Sequence, residues 1–574
     1  MKITRSLAAF TTLLTLAIAA PPATAGASND TWAQRVVIPV PSLAGGFNHT
    51  QPDVSGATTE ASDPILTCKN GDPSQRGNTL WYSLDLTGQN VPAFVNGTAA
   101  GYDSVLAVFT GAPGSFVPVA GGCNDDGAPS FSAALHGFRL DAGSVYSIMV
   151  ARPAQSTNPA TLIFSMRAAP QYVVTKTADT LDGACDADCS LREAIGASNG
   201  APGAVLLPVG EYILSRTGAA NENSNASGDL DATVGFGLYG AGIGSRVRGL
   251  SGERVLDLEP ANPTNIGSTF NIAEVAISNG SGIGPGAGIN ANNGNDHLAL
   301  RRILLEDNQS TLLPGGGVNS RGPTVVDGSV VRNNSSAGNG GGLALAGDSV
   351  LIRVDLLGST ISGNQSLSTS SGGGGGVYGS TNVFVYNSTL SGNRARFNGG
   401  GLLSTTFNGR LTLLNVTIAN NQSDSDLNGS GVGGGLRVEG NAASSYNSVF
   451  SVNSAGAGAD DCSKSPGLNI TPAVMNHADV ATVGSDCSFG AGNSVGVPAL
   501  LGPLANHGGT GQTHRPQPGS PLIDSGSNAD CLASDQRGIL RPQDGDLNGT
   551  SICDKGAVEL NGAEADFVFR NGFE

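Results

Sequence analysis

Three residues close together could do acid–base or electrostatic work: Asp296, His297 and Arg301, in a stretch that also holds Arg302, Glu306 and Asp307. A hydrolase of sugar polymers needs paired carboxylates, one giving a proton and one receiving it or attacking. A lyase needs carboxylates for calcium together with an Arg or Lys to take a proton. Asp296, His297 and Arg301 are the candidates for either chemistry, but they also fit a solvated patch. Between residues 270 and 455 nine Arg, no Lys and ten acids are scattered along the chain. No Asn-Thr-Asp, Asp-Asp or Gly-His-Gly signature of polygalacturonase-like enzymes occurs there. Binding is therefore favoured over turnover.

Metal ligands are the other chemistry on offer. Asp544-Gly545-Asp546-Leu547-Asn548-Gly549 begins like a calcium loop, with oxygen donors at alternate positions and Gly where the chain turns. The downstream Glu of an EF-hand is missing, so an Asx-rich turn without an ion is the competing reading of Asp544, Asp546 and Asn548. Asn225, Asp229 and Asp231 are weaker candidates of the same kind, as are Asp103, Asp125 and Asp126. His507 and His514 lack a third zinc ligand at a clear spacing. The glycine runs at 315–317 and 372–376 are not followed by Lys-Ser or Lys-Thr, which excludes a phosphate loop. Calcium remains the one cofactor that the sequence suggests.

The elements that must position these residues are mostly strands. From about 270 to 455 the chain repeats "AISNG", "LLEDNQ", "VVRNNS", "TISGNQ", "TLSGNR", "TIANNQ" and "VFSVNS", with "GAGI", "GGGV" or "GGGL" between. The apolar anchors Ile277, Leu305, Val331, Ile361, Leu390, Ile418 and Phe450 recur every 26 to 32 residues. A fixed period of this length marks a solenoid whose coils bury their apolar sides only by stacking. In "LTLLNVTIANN" the apolar residues fall mostly at the two-residue strand spacing. These features predict a right-handed parallel β-helix, with Asn ladders and Gly at the corners. Its anchors should form one inward-facing column.

Upstream, residues 26–168 carry short alternating runs separated by Gly, Pro and Asn and predict a β-sandwich. The chain is thus read as all-β. Ser190-Leu191-Arg192-Glu193 has the spacing of a capping box, which predicts a short helix from Leu191 to about Ser198 laid over the open first coil. Ser190 and Glu193 are its cap residues. Cys185 and Cys189 would pin the helix entry, a structural role preferred over a metal or redox one.

The first residues carry Lys2 and Arg5, an apolar run, then Ala23-Thr24-Ala25, the pattern of a signal peptide cleaved after Ala25. Export places the cysteines in an oxidising setting. The net charge of -17 argues against nucleic acid. No later stretch is apolar and long enough for a transmembrane helix. Gly makes up 85 of 574 residues, about double the usual share, consistent with many tight corners.

Several stretches resemble known families. "EASDP", "GYDSVLAVFTG" and "GCNDDG" resemble the prepeptidase C-terminal type of β-sandwich appended to secreted bacterial proteins, where it binds or positions. "CSLREAI" and "NASGDLDA" resemble the CSLREA-type secreted bacterial proteins, which carry a right-handed parallel β-helix. The C-terminal region resembles their choice-of-anchor module through "GPL" at 502–504, "GSP" at 519–521, "DQRG" at 535–538 and "RP" at 541–542. The ending "FRNGFE" is similar to short tails of exported gammaproteobacterial proteins. The implied organisation is a signal peptide (1–25), sandwich (26–168), β-helix with its capping helix (170–499) and closing module (500–574). Locality and the family-like flanks pair Cys68 with Cys123, Cys185 with Cys189, Cys462 with Cys487 and Cys531 with Cys553. The resulting expectation is an exported, surface-associated, monomeric protein for adhesion or glycan binding, with extracellular polysaccharide as partner. The alternative is a polysaccharide-degrading lyase or hydrolase working on the β-helix face.

Overall fold

The structure is a computed structural model. It describes residues 27–562 except 67, 69–76, 126–131, 153, 219–221, 251, 259–266, 348–351, 370–371, 406–408, 441, 469, 480–486 and 488–491. The expected signal peptide, Asp126 and the "FRNGFE" tail lie outside the described residues.

Alternation in the N-terminal runs produces two sheets with one apolar face each. The first, of five strands, runs in the order Val36–Ile38, Gly77–Asp85, Val145–Arg152, Val105–Thr110 and Val117–Asp125. The second is ordered Phe47–Gln51, Leu162–Ala168, Ala93–Ala100 and Ala133–Leu140. Pairing is antiparallel except where Val36–Ile38 joins Gly77–Asp85. Leu80, Tyr82 and Ile148 of one sheet share a core with Val95, Leu135 and Phe164 of the other, and the Tyr82 and Phe164 rings stack 4.0 Å apart. This is the sandwich that the sequence predicts.

From residue 171 to 478 the chain forms a parallel β-solenoid of about 10 turns. Each full turn visits four strands, seen at His297–Arg301, Leu304–Glu306, Gln309–Ser310 and Val318–Ser320. Stacking gives parallel sheets of 11, 11, 8 and 9 strands, although the last pair in the short-stranded sheet is antiparallel. The anchors line up as expected: Ile277, Leu305, Val331, Ile361, Leu390, Ile418 and Phe450 are successive register partners. All are at most 1% exposed, and a fully buried side chain of this size contributes about 1.5–3 kcal/mol of burial energy.

The corners explain the Asn and Gly recurrence. After each anchor strand one residue takes a left-handed backbone, as at Asn333 (φ 54°), Gly363 (φ 62°) and Asn420 (φ 58°), where Asn and Gly are least strained. The next residue is the ladder Asn. Asn308, Asn334, Asn364, Asn393, Asn421 and Asn453 are linked, each side-chain amide donating to the Oδ1 of the next at 2.9–3.0 Å. The glycine triplets are steric: a Cβ on Gly376 would come within 2.7 Å of the Gly401 carbonyl and 3.0 Å of the Asn393 amide.

At the N-terminal end the helix Leu191–Gly200 covers the first turn, two residues longer than expected. Both bonds of the capping box form: Glu193 N to Ser190 Oγ at 3.1 Å and Ser190 N to a Glu193 carboxylate oxygen at 2.7 Å. Leu191, Ala194 and Ile195 enter the solenoid core. All four predicted disulfides are present.

Two adjacent sheets of the solenoid carry neighbours on their outer faces. The C-terminal region lies along the anchor-strand sheet, where Thr360, Thr389 and Thr417 bond to Gln512, Gln536 and Ala557. The sandwich lies on the sheet that contains His297–Arg301. Its Gly137 approaches so closely that a Cβ there would stand 2.1 Å from the Gly203 carbonyl. Tyr239 receives the Arg139 amide at 3.0 Å and donates to the Gly137 carbonyl at 2.9 Å. The His136 amide donates to Thr269 Oγ1 at 2.9 Å.

Candidate functional site

The sandwich covers only part of its sheet, and a cleft of about 570 Å³ opens at its edge. The floor is the outer face of the strands His297–Arg301, Thr324–Asp327, Arg353–Leu357 and Asn382–Tyr386. Leu298, Leu300, Val326, Val354, Leu356, Val383 and Val385 point into the solenoid core, so alternation turns Arg301, Asp327, Arg353, Asp355 and Tyr386 outward. Register stacks Arg301, Asp327, Leu357 and Tyr386 in one column. Asp355 belongs to the neighbouring column, in register with Val325 and Phe384. One rung across and two residues along places the Asp327 and Asp355 Cα atoms about 8 Å apart, from ordinary strand dimensions. The facing wall comes from the sandwich, through Val117–Gly121, Asp141, Ser144 and Tyr146.

The polar groups of the cleft differ in freedom. Asp355 is held by both arms of Arg353, at 2.7 Å each, and the Arg353 guanidinium lies 3.9 Å from the centre of the Phe384 ring. Burial pushes the Asp355 carboxyl above its ordinary value while Arg353 opposes the shift. Asp327 stands 3.8 Å from Arg301 and keeps 37% of its side chain exposed. It is otherwise enclosed, and this burial raises its pKa against the pull of Arg301 and Arg302. On the wall, Asp141 pairs with Arg139 at 2.7 Å and is 45% exposed. The Tyr146 hydroxyl donates to the Asp141 carbonyl at 3.2 Å, and burial raises the Tyr146 pKa. The cleft therefore joins a partly exposed carboxyl whose pKa burial raises, Asp327, a second exposed carboxylate, Asp141, and the partly exposed ring of Tyr386.

The sequence candidates separate. Asp296 is buried, and its Oδ1 accepts from Ser268 N and Asn293 Nδ2 in a turn. His297 borders the cleft, but its Nε2 is 3.1 Å from the Asp125 carbonyl and joins solenoid to sandwich. Arg301 alone of the three presents its charged end to the cleft beside a carboxylate. Arg302, with φ 49°, turns away and pairs with Glu274. Asp327, Arg353, Asp355, Tyr386, Asp141 and Tyr146 were not among the sequence candidates. Aligning the repeats on their anchors would have shown the fourth residue before each reading Ala273, Arg301, Asp327, Leu357, Tyr386, Leu414 and Tyr446, a column that does not repeat.

The calcium-loop candidates are gathered differently from their order in the chain. Asp544 and Asp546 meet Asp524, with one oxygen from each within 4.8 Å of the others. Asn548 donates its side-chain amide to Asp546 and its backbone amide to both aspartates, as in an Asx turn. His514 is bonded to Ser391 Oγ and the Gly502 carbonyl, and His507 to Thr513. Asn225 is spent on the Arg192 carbonyl and the Asp231 amide.

No family model and no curated protein matches the chain. Among solved structures, the catalytic domain of Agl-KA aligns at 10% identity over 80% of this chain and 93% of that one, with a TM-score of 0.25. The catalytic domain of a GH87 alpha-1,3-glucanase in complex with nigerose aligns at 13% identity over 75% of this chain and 98% of that one, with a TM-score of 0.21. A variant of a GH87 alpha-1,3-glucanase catalytic domain in complex with tetrasaccharides gives 13%, 75%, 99% and 0.22 for the same measures. Among the described residues no helix is long and apolar enough to cross a membrane, and the four disulfides are consistent with an extracellular protein.

Proposed function

We propose that the protein is exported, with cleavage after Ala25, and that it binds a polysaccharide in the cleft between sandwich and solenoid and hydrolyses it. The observation that carries this reading is Asp327: a carboxylic acid raised by burial yet open to the cleft, with Asp141 on the facing wall. In the proposed reaction Asp327 gives its proton to the glycosidic oxygen as the carbon–oxygen bond breaks, and Asp141 takes a proton from the attacking water. Arg353 and Asp355 hold each other at the cleft floor, and the partly exposed Tyr386 ring offers an apolar face to a sugar ring. A raised pKa keeps Asp327 protonated to higher pH, so activity falls as pH rises through it. The pairing of Asp327 with Asp141 across the cleft supports cleavage over simple adhesion, which needs no such pair.

The test is incubation of the mature protein with a panel of neutral and acidic polysaccharides, following new reducing ends, unsaturated products and binding in parallel. New reducing ends without unsaturation are expected, lost by a factor of about 100 or more in Asp327→Asn, the scale of one acid–base group. Binding with no product from any polysaccharide would return the protein to the adhesion reading. Unsaturated ends would mean a lyase.

A further inference from the structure

A second cluster of acids lies far from the cleft, under the capping helix. Asp231 and Asp257 are register partners on adjacent rungs of the sheet formed by Leu230–Ala232, Leu256–Leu258 and Ile289–Ala291. Asp229 precedes them, and one carboxylate oxygen from each of the three lies within 4.8 Å of the other two. They are 1%, 0% and 4% exposed. Arg254 contacts Asp229 at 2.8 Å and Asp257 at 3.0 Å, which sets one guanidinium against three carboxyl groups. Independently, Asp231 Oδ1 is a buried oxygen with no hydrogen-bond donor among the described residues, while its Oδ2 accepts from Asn225 N at 2.9 Å. Further along the column the positions are neutral: Asn290 donates to Asp257 at 2.8 Å and Asn319 to Asn290 at 2.9 Å, an ordinary amide ladder. The charge is thus concentrated where the ladder meets the cap.

We propose that Asp229, Asp231 and Asp257 form a calcium site that locks the capping helix to the first turns of the solenoid. When ionised, three buried carboxyls beside one guanidinium are strongly unfavourable without a further counter-charge, and a divalent cation supplies that charge while giving Asp231 Oδ1 a partner. Carboxylate oxygens without nitrogen or sulfur ligands favour calcium over zinc. A surface pocket of about 200 Å³ lined by Gly228, Glu253 and Arg254 lies beside the cluster, Arg254 being the residue that contacts both Asp229 and Asp257. The link to the cap is direct: Arg192 on the helix donates to the Asp229 carbonyl at 2.8 Å, and its own carbonyl accepts from Asn225 at 2.8 Å.

The experiment is calorimetric titration of the chelator-stripped mature chain with calcium chloride, alongside thermal unfolding with and without calcium. Wild type is expected to bind and to gain in melting temperature. Asp231→Asn and Asp257→Asn should each weaken binding at least about tenfold and remove the gain, while Asp546→Asn, in the exposed C-terminal cluster, should leave this gain intact. Crystals of wild type grown with calcium should show its anomalous signal between the three carboxylates, which decides the matter even if the variants fail to fold. No heat and no stabilisation in wild type would overturn the site. So would binding that survives in both Asp231→Asn and Asp257→Asn but disappears in Asp546→Asn.

Discussion

Replacing Asn393 by Ala tests whether the amide ladder holds the rungs, and with them the cleft floor, in register. Asn393 is fully buried and makes four side-chain hydrogen bonds: Oδ1 accepts from Asn364 N and Nδ2 at 3.0 Å, and Nδ2 donates to the Ile361 carbonyl and Asn421 Oδ1 at 2.9 Å. After truncation Asn364 Nδ2 still reaches the Val331 carbonyl and Asn421 Oδ1 still accepts from Asn393 N. The Asn364 amide and the Ile361 carbonyl lose their side-chain partner. At about 1–3 kcal/mol for each buried group left unpaired, the substitution should cost about 2–6 kcal/mol. Gln422→Ala, which removes an exposed contact with Arg394 and one bond to the Gly456 carbonyl at 3.1 Å, should cost no more than about 1.5 kcal/mol. The Asn364→Ala, Asn393→Ala double variant should cost less than the sum of the singles, because the bonds between the two amides are lost only once. Urea denaturation gives the free energies, and hydrogen exchange should locate the new openings between residues 361 and 421, since a solenoid rung depends on its immediate neighbours. A loss in Asn393→Ala no larger than in Gln422→Ala would refute the reasoning, and the ladder would then be a consequence of coil geometry rather than a cause of it.

Two further outcomes follow from the sandwich interface. Gly137→Ala puts a methyl 2.1 Å from the Gly203 carbonyl at a residue with φ 55°. It should undock the sandwich, raising the radius of gyration in small-angle scattering and abolishing polysaccharide cleavage while the solenoid stays folded. Unchanged scattering with full cleavage would contradict this. His136, at the same interface, has its pKa lowered by burial to about 4. The unfolded chain therefore takes up the proton first, so stability is present above the ordinary histidine range and is lost as pH falls through it. Acidification from about pH 7 to about pH 5 should cost about 1–2 kcal/mol more in wild type than in His136→Asn, measured as the shift in urea midpoint. Equal losses in the two proteins would refute the assignment.

The solenoid was legible because its requirements repeat. An inward position must be apolar in every coil, so Ile277, Leu305, Val331, Ile361, Leu390 and Ile418 advertise one column. A corner must be left-handed in every coil, so Asn279, Asn333 and Asn420 alternate with Gly363 and Gly392 at equivalent places. Val452 takes the same backbone (φ 54°) without either residue type, which shows that the fold imposes the corner and the sequence merely eases it. The capping helix was legible for a different reason, since the two reciprocal bonds of Ser190 and Glu193 join residues three apart and the signal is local.

The cleft was illegible for the converse of these reasons. Outward positions on a solenoid carry no packing constraint, so Arg301, Asp327 and Tyr386 sit at an offset where neighbouring coils hold Ala273, Leu357 or Leu414, Asp355 stands between Val325 and Phe384 in the next column, and nothing in one coil announces the next. Counting acids along the chain makes them look dispersed, because a step of one rung costs nearly thirty residues in sequence and about 4.8 Å in space. The second wall is still more remote: Asp141 and Tyr146 meet Arg301 and Asp327 only because Gly121 and Gly137 let another domain press its backbone onto the coil. A Cβ at Gly121 would stand 2.2 Å from Asn271 Oδ1. The acids of the cleft are accordingly brought together by docking. The solenoid supplies a rigid ruler with free outward positions, and the sandwich selects the stretch that becomes enclosed enough to raise a carboxyl. An unenclosed Asp327 would be an ordinary surface acid, which is why displacing the sandwich at Gly137 should silence the cleft without touching any residue on its floor.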